Sequence, residues 1–538
     1  MARTQTRRQS HEPIPSASRA RARRLMREEN ATLSLDGEWD FIPDPERLYT
    51  AQDLPPGEPI AVPGCWEAQV AHPYRIVTAW YRRSFDAPAD WDGSRLLIHF
   101  GAVMYRCAVW LNGERIGEHE GGYTAFAVDA ADAVRWGAAN ELVVEVENPL
   151  NAIADYPAFA AGRVLDAEAL TPDLPLSEIP HGKQTWYSSQ SGLWQSVRAE
   201  RVGACHIDAL VVFPDVPAER ATVRWRVLGD RAGARLELRA LGPDGREVGT
   251  AQADLGPAEG ETSVAVPEPV LWGIGAPNLY RLEARILLAG REQDRLTTRF
   301  GMREVGVRDG AVTLNGEPVY LLGVLDQDLY PDTISTPPSR AYLDEQLRRA
   351  RELGFNILRC HIKVPDPAYL DAADEAGMLV WCELPNWSRF THASAGRGLA
   401  TLSRMVETVG SHPSVVMWTI INEDWGTRLR HERRDRAWLR RTYEWAQGAR
   451  PDPPRRRQLG LRDGPDAELP RQERPRGLPP LLRARQRHPM AEPGRGVRRT
   501  TAVALEPPRR RRGARGRAAR PQRVRRLGAA GAHRTARR

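Results

Sequence analysis

The sequence predicts a multidomain protein in which two all-β domains are followed by the first half of a (β/α)8 TIM barrel and by a disordered basic tail. Three observations predict this fold class. Short runs of alternating polarity fill residues 30–300, strand and helix patterns alternate over 301–446, and residues 447–538 contain no Phe, Trp, Tyr or Ile. A chain of 538 residues is also too long for a single hydrophobic core.

The first β region, residues 30–205, is predicted to be a β-sandwich of the jelly-roll type. Its strand-like runs include RLLIHF (95–100), YRCAVWL (105–111) and ELVVEVEN (141–148). The Asn112-Gly113 pair after the second of these runs is a strong signal for a two-residue hairpin. Residues 206–300 carry four more evenly spaced runs, which are typical of an immunoglobulin-like sandwich.

Residues 301–446 change to alternating strand and helix patterns, which predict the first four units of a barrel. The predicted strands span 319–324, 356–362, 378–384 and 415–421, and the predicted helices span 339–354, 366–377, 398–409 and 431–446. Half a barrel leaves the edges of its sheet unpaired. We therefore expect limited proteolysis to leave a stable fragment that ends near Phe300.

Residues 1–29 are basic but lack the apolar segment of a secretory signal, so they are predicted to be a flexible leader of a cytoplasmic protein. No apolar run approaches the ~18 residues of a membrane span, so no membrane partner is expected. The five cysteines are scattered without metal-ligand spacing, so we expect neither a metal site nor a disulfide framework.

The strand predicted at 415–421 ends on the pair Asn422-Glu423. A carboxylate at the carboxyl end of a barrel strand lies where barrel enzymes keep their chemistry. Such a pair taken alone is typical of an ordinary loop, and His361 taken alone is typical of a buried structural histidine. The surrounding motifs decide between these interpretations.

Nine motifs occur in order: LSLDGEWDF (33–41), VPGCWE (62–67), WYRRSF (80–85), VWLNGERIGEHEGGYTAF (109–126), GLWQSV (192–197), RFGMREV (299–305), LNGEPVYLLGV (314–324), GFNILRCHIKVPDP (354–367) and HPSVVMWTIINE (412–423). Together they resemble glycoside hydrolase family 2, which includes β-galactosidases, β-glucuronidases and β-mannosidases. The resemblance covers about residues 30–446. It implies a jelly-roll sugar-binding domain, an immunoglobulin-like domain and a (β/α)8 barrel that hydrolyses β-linked glycosides or oligosaccharides without a cofactor.

The resemblance also implies roles for single residues. Glu423 matches the family's general acid/base, and Asn422 matches the asparagine that holds the sugar 2-hydroxyl. Arg359 and His361, two positions apart, match an Arg-x-His pattern of the second barrel strand, which lines the sugar pocket in the family.

The first barrel strand departs from the family pattern. It reads Gly-Val-Leu-Asp-Gln-Asp over 323–328, so Asp326 or Asp328 is expected to contact the substrate instead. Trp418 is expected either to stack on a sugar or to belong to the core. Glu383 is expected either to be structural or to touch the ligand.

A retaining glycosidase needs two carboxyl groups about 5–5.5 Å apart, one as acid/base and one as nucleophile. No residue after Glu423 in this sequence matches the family's nucleophile, so the second catalytic carboxylate is absent. Residues 447–538 hold 27 Arg, no Lys and 7 acidic residues, a net charge of +20, so the other 446 residues carry −12. This tail cannot bury a core and is predicted to be disordered.

The tail allows two interpretations. A basic tail is typical of nucleic-acid binding. A sequence rich in Arg, Pro, Ala and Gly is also what GC-rich DNA encodes when it is translated out of frame. Read with a one-base shift and suitable synonymous codons, residues 519–526 permit Leu-Val-Leu-Ser-Glu-Phe-Gly, whose Glu resembles the family's nucleophile. We therefore predict a frameshift near Ala446–Gln447 and regard nucleic acid as an unlikely partner.

The sequence thus predicts a retaining β-glycosidase that is inactive as written because its nucleophile is lost. The intact protein could form oligomers. The alternative function is a non-catalytic carbohydrate-binding protein built on the first β domain.

Overall fold

A computed structural model of the protein describes residues 31–71, 73, 76–149, 171, 173–184 and 186–448, together with Arg27. They belong to the first of two compact units, Met1–Gln486, and the second unit, Arg487–Arg538, contains no described residue. The predicted leader, apart from Arg27, and the predicted tail, apart from its first two residues, lie outside the described residues.

The first β region consists of ten strands in two antiparallel sheets. They are β1 (Thr32–Ser34), β2 (Gly37–Pro43), β3 (Glu58–Val62), β4 (Thr78–Asp86), β5 (Arg95–Phe100), β6 (Arg106–Leu111), β7 (Glu114–Glu120), β8 (Phe126–Asp129), β9 (Ala139–Glu147) and β10 (Val197–Val202). The sheet orders are β3-β2-β4-β9-β6-β7 and β1-β10-β5-β8. Inward side chains of both sheets form one hydrophobic cluster, as the alternating pattern requires.

The hairpin between β6 and β7 turns at Asn112 and Gly113, as predicted. Both residues have positive φ angles, 53° and 85°. A two-residue turn of this kind requires left-handed backbone at both positions, which asparagine and glycine tolerate best.

The second β region is a sandwich of seven strands around its own core. They are β11 (Cys205–Asp215), β12 (Arg220–Gly229), β13 (Ala234–Leu241), β14 (Glu247–Asp254), β15 (Glu259–Ala265), β16 (Tyr280–Leu288) and β17 (Arg291–Phe300). The sheet orders are β11-β12-β15 and β14-β13-β16-β17. A small sheet of β18 (Val305–Arg308), β19 (Ala311–Leu314) and β20 (Glu317–Pro318) follows. The sequence does not predict this sheet, because strands of two to four residues are too short to show a period of two.

The last region alternates strands with helices. The strands are β21 (Gly323–Asp326), β22 (Ile357–Cys360), β23 (Leu379–Glu383) and β24 (Val415–Thr419), and the helices are α1 (Arg340–Glu352), α2 (Pro367–Ala376), α3 (His392–Val409) and α4 (Arg433–Gly448). The strands pair in parallel in the order β21-β22-β23-β24. The four strand–helix units therefore occur in the predicted order.

Two element starts differ from the predicted ones by four residues or more, and the other boundaries agree to within two residues. The first strand begins at Gly323 rather than at residue 319. Helix α3 begins at His392 rather than at residue 398, because Thr391 and Ser394 cap each other's backbone N–H groups. Two glycines in the first turns of this helix weakened the sequence signal.

One hydrophobic cluster joins the α/β region to the first β region. It includes Leu347 of α1 and Leu370 of α2, together with Cys65, Met104 and Trp194 of the β region. The α/β region therefore does not depend only on its own sheet for burial of apolar surface.

Apolar side chains are exposed along the first strand of the parallel sheet and in the segment just before it. Tyr320 is 72% exposed and Leu325 is 46% exposed, and Leu322 and Val324 are also exposed. This strand forms an edge of the sheet among the described strands. No helix within the described ranges is long and apolar enough to span a membrane.

Candidate active site

The register of the parallel sheet sorts the candidate residues by face. Arg359, Trp381 and Met417 stand in one row across β22, β23 and β24, and Cys360, Cys382 and Trp418 stand in the next. Because successive side chains of a strand point to opposite faces, the two rows face opposite sides of the sheet. The second row packs against the cluster that contains the helices, so the row of Arg359 faces away from them.

Glu383, the last residue of β23, is fully buried and organises the group formed by Arg359, His361, Asn422 and Glu423, which we call the pocket. Its carboxylate accepts hydrogen bonds from Arg359 Nε at 2.6 Å, from the backbone N–H of Ile362 at 2.9 Å and from His361 Nδ1 at 2.9 Å. Burial by itself would raise the pKa of Glu383, but the hydrogen bonds from His361 and Arg359 outweigh it and hold this pKa below its usual range. Glu383 is therefore an anion that fixes two neighbouring side chains.

Arg359 in turn fixes the amide of Asn422. Its Nη2 donates to Asn422 Oδ1 at 2.7 Å, and its guanidinium lies 4.7 Å from the ring centroid of Trp381. Because arginine can only donate, the amide oxygen must face Arg359 and the amide nitrogen must face away from it. Asn422 Nδ2 is buried and has no hydrogen-bond partner within the described part of the chain. This leaves one preorganised donor in the pocket.

Glu423 is the exposed carboxylate beside this donor. Its φ is 50° and that of Asp424 is 67°, so two consecutive non-glycine residues adopt left-handed backbone. Such strain costs of order 1 kcal/mol per residue and clusters at functional sites. Glu423 has no hydrogen bond or ion pair to any residue that the structure describes. Asp424, by contrast, accepts from Thr427 Oγ1 at 2.7 Å and from the backbone of Leu429.

The structure separates Asp326 and Trp418 from this group. Asp326 Oδ2 accepts from Gln346 of α1 at 2.8 Å and from Tyr369 of α2 at 2.9 Å, so it faces the helices. Trp418 packs against the cluster that contains the helices. Of its two expected roles, this placement favours the core.

Asp328 is also engaged by protein groups. It is buried, Lys363 Nζ lies 2.8 Å from its Oδ2, and Tyr330 donates to its Oδ1 at 2.6 Å. Burial raises the pKa of Asp328, and Lys363 opposes that rise. The substrate contact expected for Asp326 or Asp328 stays a prediction, and both carboxylates already have other partners.

Asn386 is a site residue that sequence analysis missed. It is fully buried in the loop after β23. Its Oδ1 accepts the backbone N–H of Asn422 at 2.9 Å, while its backbone carbonyl accepts the N–H groups of His181 and Gly182, each at 3.0 Å. Asn386 therefore connects the pocket with a loop of the first β region. Nothing in the local pattern LPNWS distinguishes it from a turn residue.

That loop brings a second missed residue, Lys183, toward the pocket. Partial burial lowers the pKa of its ammonium group, and the negative charges of Glu423 and Glu383 oppose this change. A sequence signal was available, because Lys183 and Lys363 are the only two lysines among 77 basic residues, and Lys183 lies nine positions before the GLWQSV motif.

Asp371, Asp374 and His412 have ligand atoms close enough to hold a metal ion. Each already makes a structural contact. Asp371 forms an ion pair with Arg299 at 2.8 Å, and Asp374 accepts from His412 Nδ1 at 2.5 Å and from the backbone of Ser414 at 3.0 Å. The cluster therefore anchors the start of β24, and an arginine beside it opposes a cation.

The arrangement supplies one exposed carboxylate, one amide donor and one arginine at the carboxyl ends of parallel strands. Glu383, which Arg359 links to Asn422, already accepts hydrogen bonds from three donors. Asp424, the residue after Glu423, accepts hydrogen bonds from two donors. The pocket can therefore bind hydroxyl groups and move a proton through Glu423.

Comparison with known proteins gives two family matches. The sequence model described as "Glycosyl hydrolases family 2" matches residues 205–303, and that described as "Glycosyl hydrolase 2 galactose-binding domain-like" matches residues 68–160. A β-galactosidase of Thermoanaerobacter pseudethanolicus is 26% identical over 361 residues, which is 65% of this chain and 45% of the relative. A β-glucuronidase of Paenibacillus borealis is 24% identical over 417 residues, 72% of this chain and 67% of the relative.

Solved structures with a similar fold also match this chain. The apo structure of a β-glucuronidase from Ruminococcus gnavus superposes with a TM-score of 0.64 at 21% identity and covers 80% of this chain and 72% of that chain. The chain spans less than half the length of the β-galactosidase relative and about two thirds of the β-glucuronidase relative.

Proposed function

Because the chain belongs to glycoside hydrolase family 2, we propose that the pocket at the carboxyl end of β24 binds a β-linked glycoside and that Glu423 is its general acid/base. The observation that carries this proposal is the amide of Asn422. Arg359 holds its oxygen, which leaves a buried N–H donor without a partner in the described part of the chain. An unpaired buried donor is costly, and a sugar hydroxyl would satisfy it.

The chemistry follows from the exposure of Glu423. In a retaining hydrolysis its carboxyl group protonates the leaving oxygen, and the resulting carboxylate later takes a proton from the attacking water. A second carboxylate must attack the anomeric carbon and form the covalent intermediate. Arg359, His361 and Asn422 are proposed to orient the sugar.

We further propose that residues 301–446 are the first half of a (β/α)8 barrel. The exposed apolar residues of β21 and of the segment just before it, including Leu325 and Tyr320, support this, because closure of a barrel would cover that edge. Residues 30–205 and 206–300 are proposed to be the jelly-roll and immunoglobulin-like domains. Substrates of the whole protein are proposed to be β-linked glycosides.

The second carboxylate is proposed to lie in the shifted frame of residues 519–526, outside the described residues. The chain as written would then hydrolyse no glycoside. The alternative function is a non-catalytic carbohydrate-binding protein built on the first β domain, and glycan binding without turnover would favour it. A nucleic-acid-binding tail would instead give DNA retention that weakens with salt and is lost on deletion of 447–538.

Ligand binding to the 538-residue chain tests the pocket without turnover. Saturation-transfer NMR should detect methyl β-galactoside or methyl β-glucuronide, and Asn422→Ala should weaken binding about tenfold through loss of one hydrogen bond. Asn278→Ala is the matched control, since this amide donates to Leu271 in a loop of the second β region. Equal binding by both variants would refute the assignment of Asn422.

A further inference from the structure

The ammonium group of Lys183 lies over two neighbouring indole rings. Its Nζ is 4.9 Å from the ring centroid of Trp186 and 4.7 Å from that of Trp425. The two rings are 6.5 Å apart and tilted by 33°. Lys183 and Trp186 belong to the loop of the first β region, whereas Trp425 follows Glu423 by two positions. The cluster therefore joins the two regions beside the candidate acid/base.

The positive charge of Lys183 forms no ion pair with a carboxylate among the residues that the structure describes. Partial burial lowers the pKa of Lys183, and the charges of Glu423 and Glu383 oppose that change. Trp186 is 50% exposed, which is unusual for a tryptophan. A cation beside one half-exposed and one partly buried indole ring has the features of a binding site, where stacking and charge act together.

Lysine itself is rare in this chain. Of its 77 basic residues only Lys183 and Lys363 are lysines, and Lys363 is buried against Asp328. An ammonium group is a compact point charge, whereas a guanidinium group is broad and planar. Lys183 is thus the lysine whose charge remains available to a ligand.

The loop that carries Lys183 is fixed relative to the pocket. The N–H groups of His181 and Gly182 donate to the carbonyl of Asn386, and His181 Nε2 lies 2.8 Å from Ser388 Oγ. Trp425 donates its backbone N–H to the carbonyl of Asn422 at 2.9 Å. The loop that carries Lys183 and the residue Trp425 are therefore both hydrogen-bonded to Asn422 or to residues around it. The cluster is thus preorganised for a ligand.

We propose that Lys183, Trp186 and Trp425 form a specificity-determining subsite that binds a carboxylate-bearing ring on the leaving-group side of Glu423. The indole rings stack on the ring of the leaving group, and the Lys183 ammonium pairs with its carboxylate. This inference rests on the proposed function, because the acid/base defines the leaving-group side by protonating the leaving oxygen.

The two lysines permit a direct measurement on the full chain. Reductive 13C-dimethylation keeps the positive charge and labels at most Lys183, Lys363 and the α-amine, and Lys183→Arg assigns the signal of Lys183. The ligands are 4-carboxyphenyl β-glycosides and their neutral isosteres, 4-carbamoylphenyl β-glycosides, each made with galactose and with glucuronic acid. The Lys183 signal reports contact, and its titration gives the dissociation constant.

The acidic leaving group should bind about tenfold more tightly than its neutral isostere with both sugars and should shift the Lys183 signal. Tryptophan fluorescence titrations of Lys183→Met should show equal affinity for the two ligands. Arg246→Gln, which removes an exposed charge from a distant turn, should keep the preference.

Three other outcomes would overturn the proposal. Equal affinity for acidic and neutral leaving groups in the unmodified chain would refute the subsite but leave the glycoside pocket intact. A Lys183-dependent preference for the glucuronide with the neutral leaving group would place the carboxylate on the reacting sugar instead. Failure of every glycoside to bind would refute the proposed function and, with it, this subsite.

Discussion

The side-chain oxygen of Asn386 accepts the backbone N–H of Asn422 at 2.9 Å. The Nδ2 of Asn386 donates to the carbonyls of Leu384 and Ile420, at 3.0 and 2.9 Å. One buried amide therefore holds the ends of β23 and β24 together at the point where Glu423 projects. The backbone carbonyl of Asn386 also accepts hydrogen bonds from the N–H groups of His181 and Gly182 in the loop of the first β region.

Replacement of Asn386 should disturb both stability and the pocket. Asn386→Ala leaves one buried N–H and two carbonyls without their partner, so we expect a loss of about 3 kcal/mol in the free energy of unfolding. Glycoside binding should weaken as well, because Asn422 loses its support. Urea unfolding and saturation-transfer NMR measure the two effects. Asn278→Ala is the control, and equal stability of the two variants would contradict the role of Asn386.

Glu383→Gln tests the anion at the centre of the network. The substitution removes the charge that Arg359 and His361 face, in a position with no exposure. Breaking a buried ion pair by removing one partner costs about 3 kcal/mol or more. We expect that loss in urea unfolding at pH 7, together with weaker glycoside binding. Glu317→Gln on exposed β20 should change neither. A Glu383→Gln variant of wild-type stability would contradict the account.

The local patterns predicted strands, helices and hairpin turns because those features repeat within a few residues. They also placed Asn422-Glu423 after a buried strand. They could not identify Asn386 or the partners of Lys183, because the contacts of both residues cross about 200 positions between the first β region and the α/β region. Strand register likewise decided which face Asp326 and Trp418 occupy, and register is set by tertiary pairing rather than by local sequence.

The loop contact of His181 should make the protein sensitive to mild acid. Burial lowers the pKa of His181 to about 4, against about 6.5 in an unfolded chain. The unfolded state therefore binds more protons between pH 6.5 and pH 4, so stability is full above pH 6.5 and falls as the pH drops through this window. The contribution is about 3 kcal/mol.

Thermal melts at a series of pH values measure this effect. His181→Gln should be less stable than the wild type at pH 7.5 and should lose less stability between pH 6.5 and pH 4. Burial also lowers the pKa values of His99 and His119, which are partly exposed, to about 3 and about 4, so a residual slope is expected. Identical slopes for the two proteins would contradict the role of His181.

Limited proteolysis tests whether the α/β region is held by the β regions. The sequence alone predicts a stable fragment that ends near Phe300, but the structure argues for a longer one. Arg226 pairs with Glu407 of α3 at 2.8 Å, and Val212 donates its N–H to Ser411 Oγ at 2.9 Å. With the shared hydrophobic cluster, these contacts should protect the chain beyond Glu423.

Mass spectrometry of the protease-resistant fragment gives its end directly. We expect an end near the last residues of α4, which packs Trp438 fully buried against Trp387 and Phe390. A dominant fragment that ends near Phe300 would contradict the shared core and restore the expectation from sequence.

We propose that Glu423 is the acid/base of a retaining β-glycosidase whose second carboxylate lies in the shifted reading frame. The most direct test follows nitrophenyl β-glycosides by proton NMR in the first minutes, with the 538-residue chain and a frame-restored protein side by side. The frame-restored protein should release the β-anomer first and lose activity in Glu423→Gln, while the chain as written should release no sugar. Turnover by the chain as written that Glu423→Gln abolishes, or an initial α-anomer from the frame-restored protein, would contradict it.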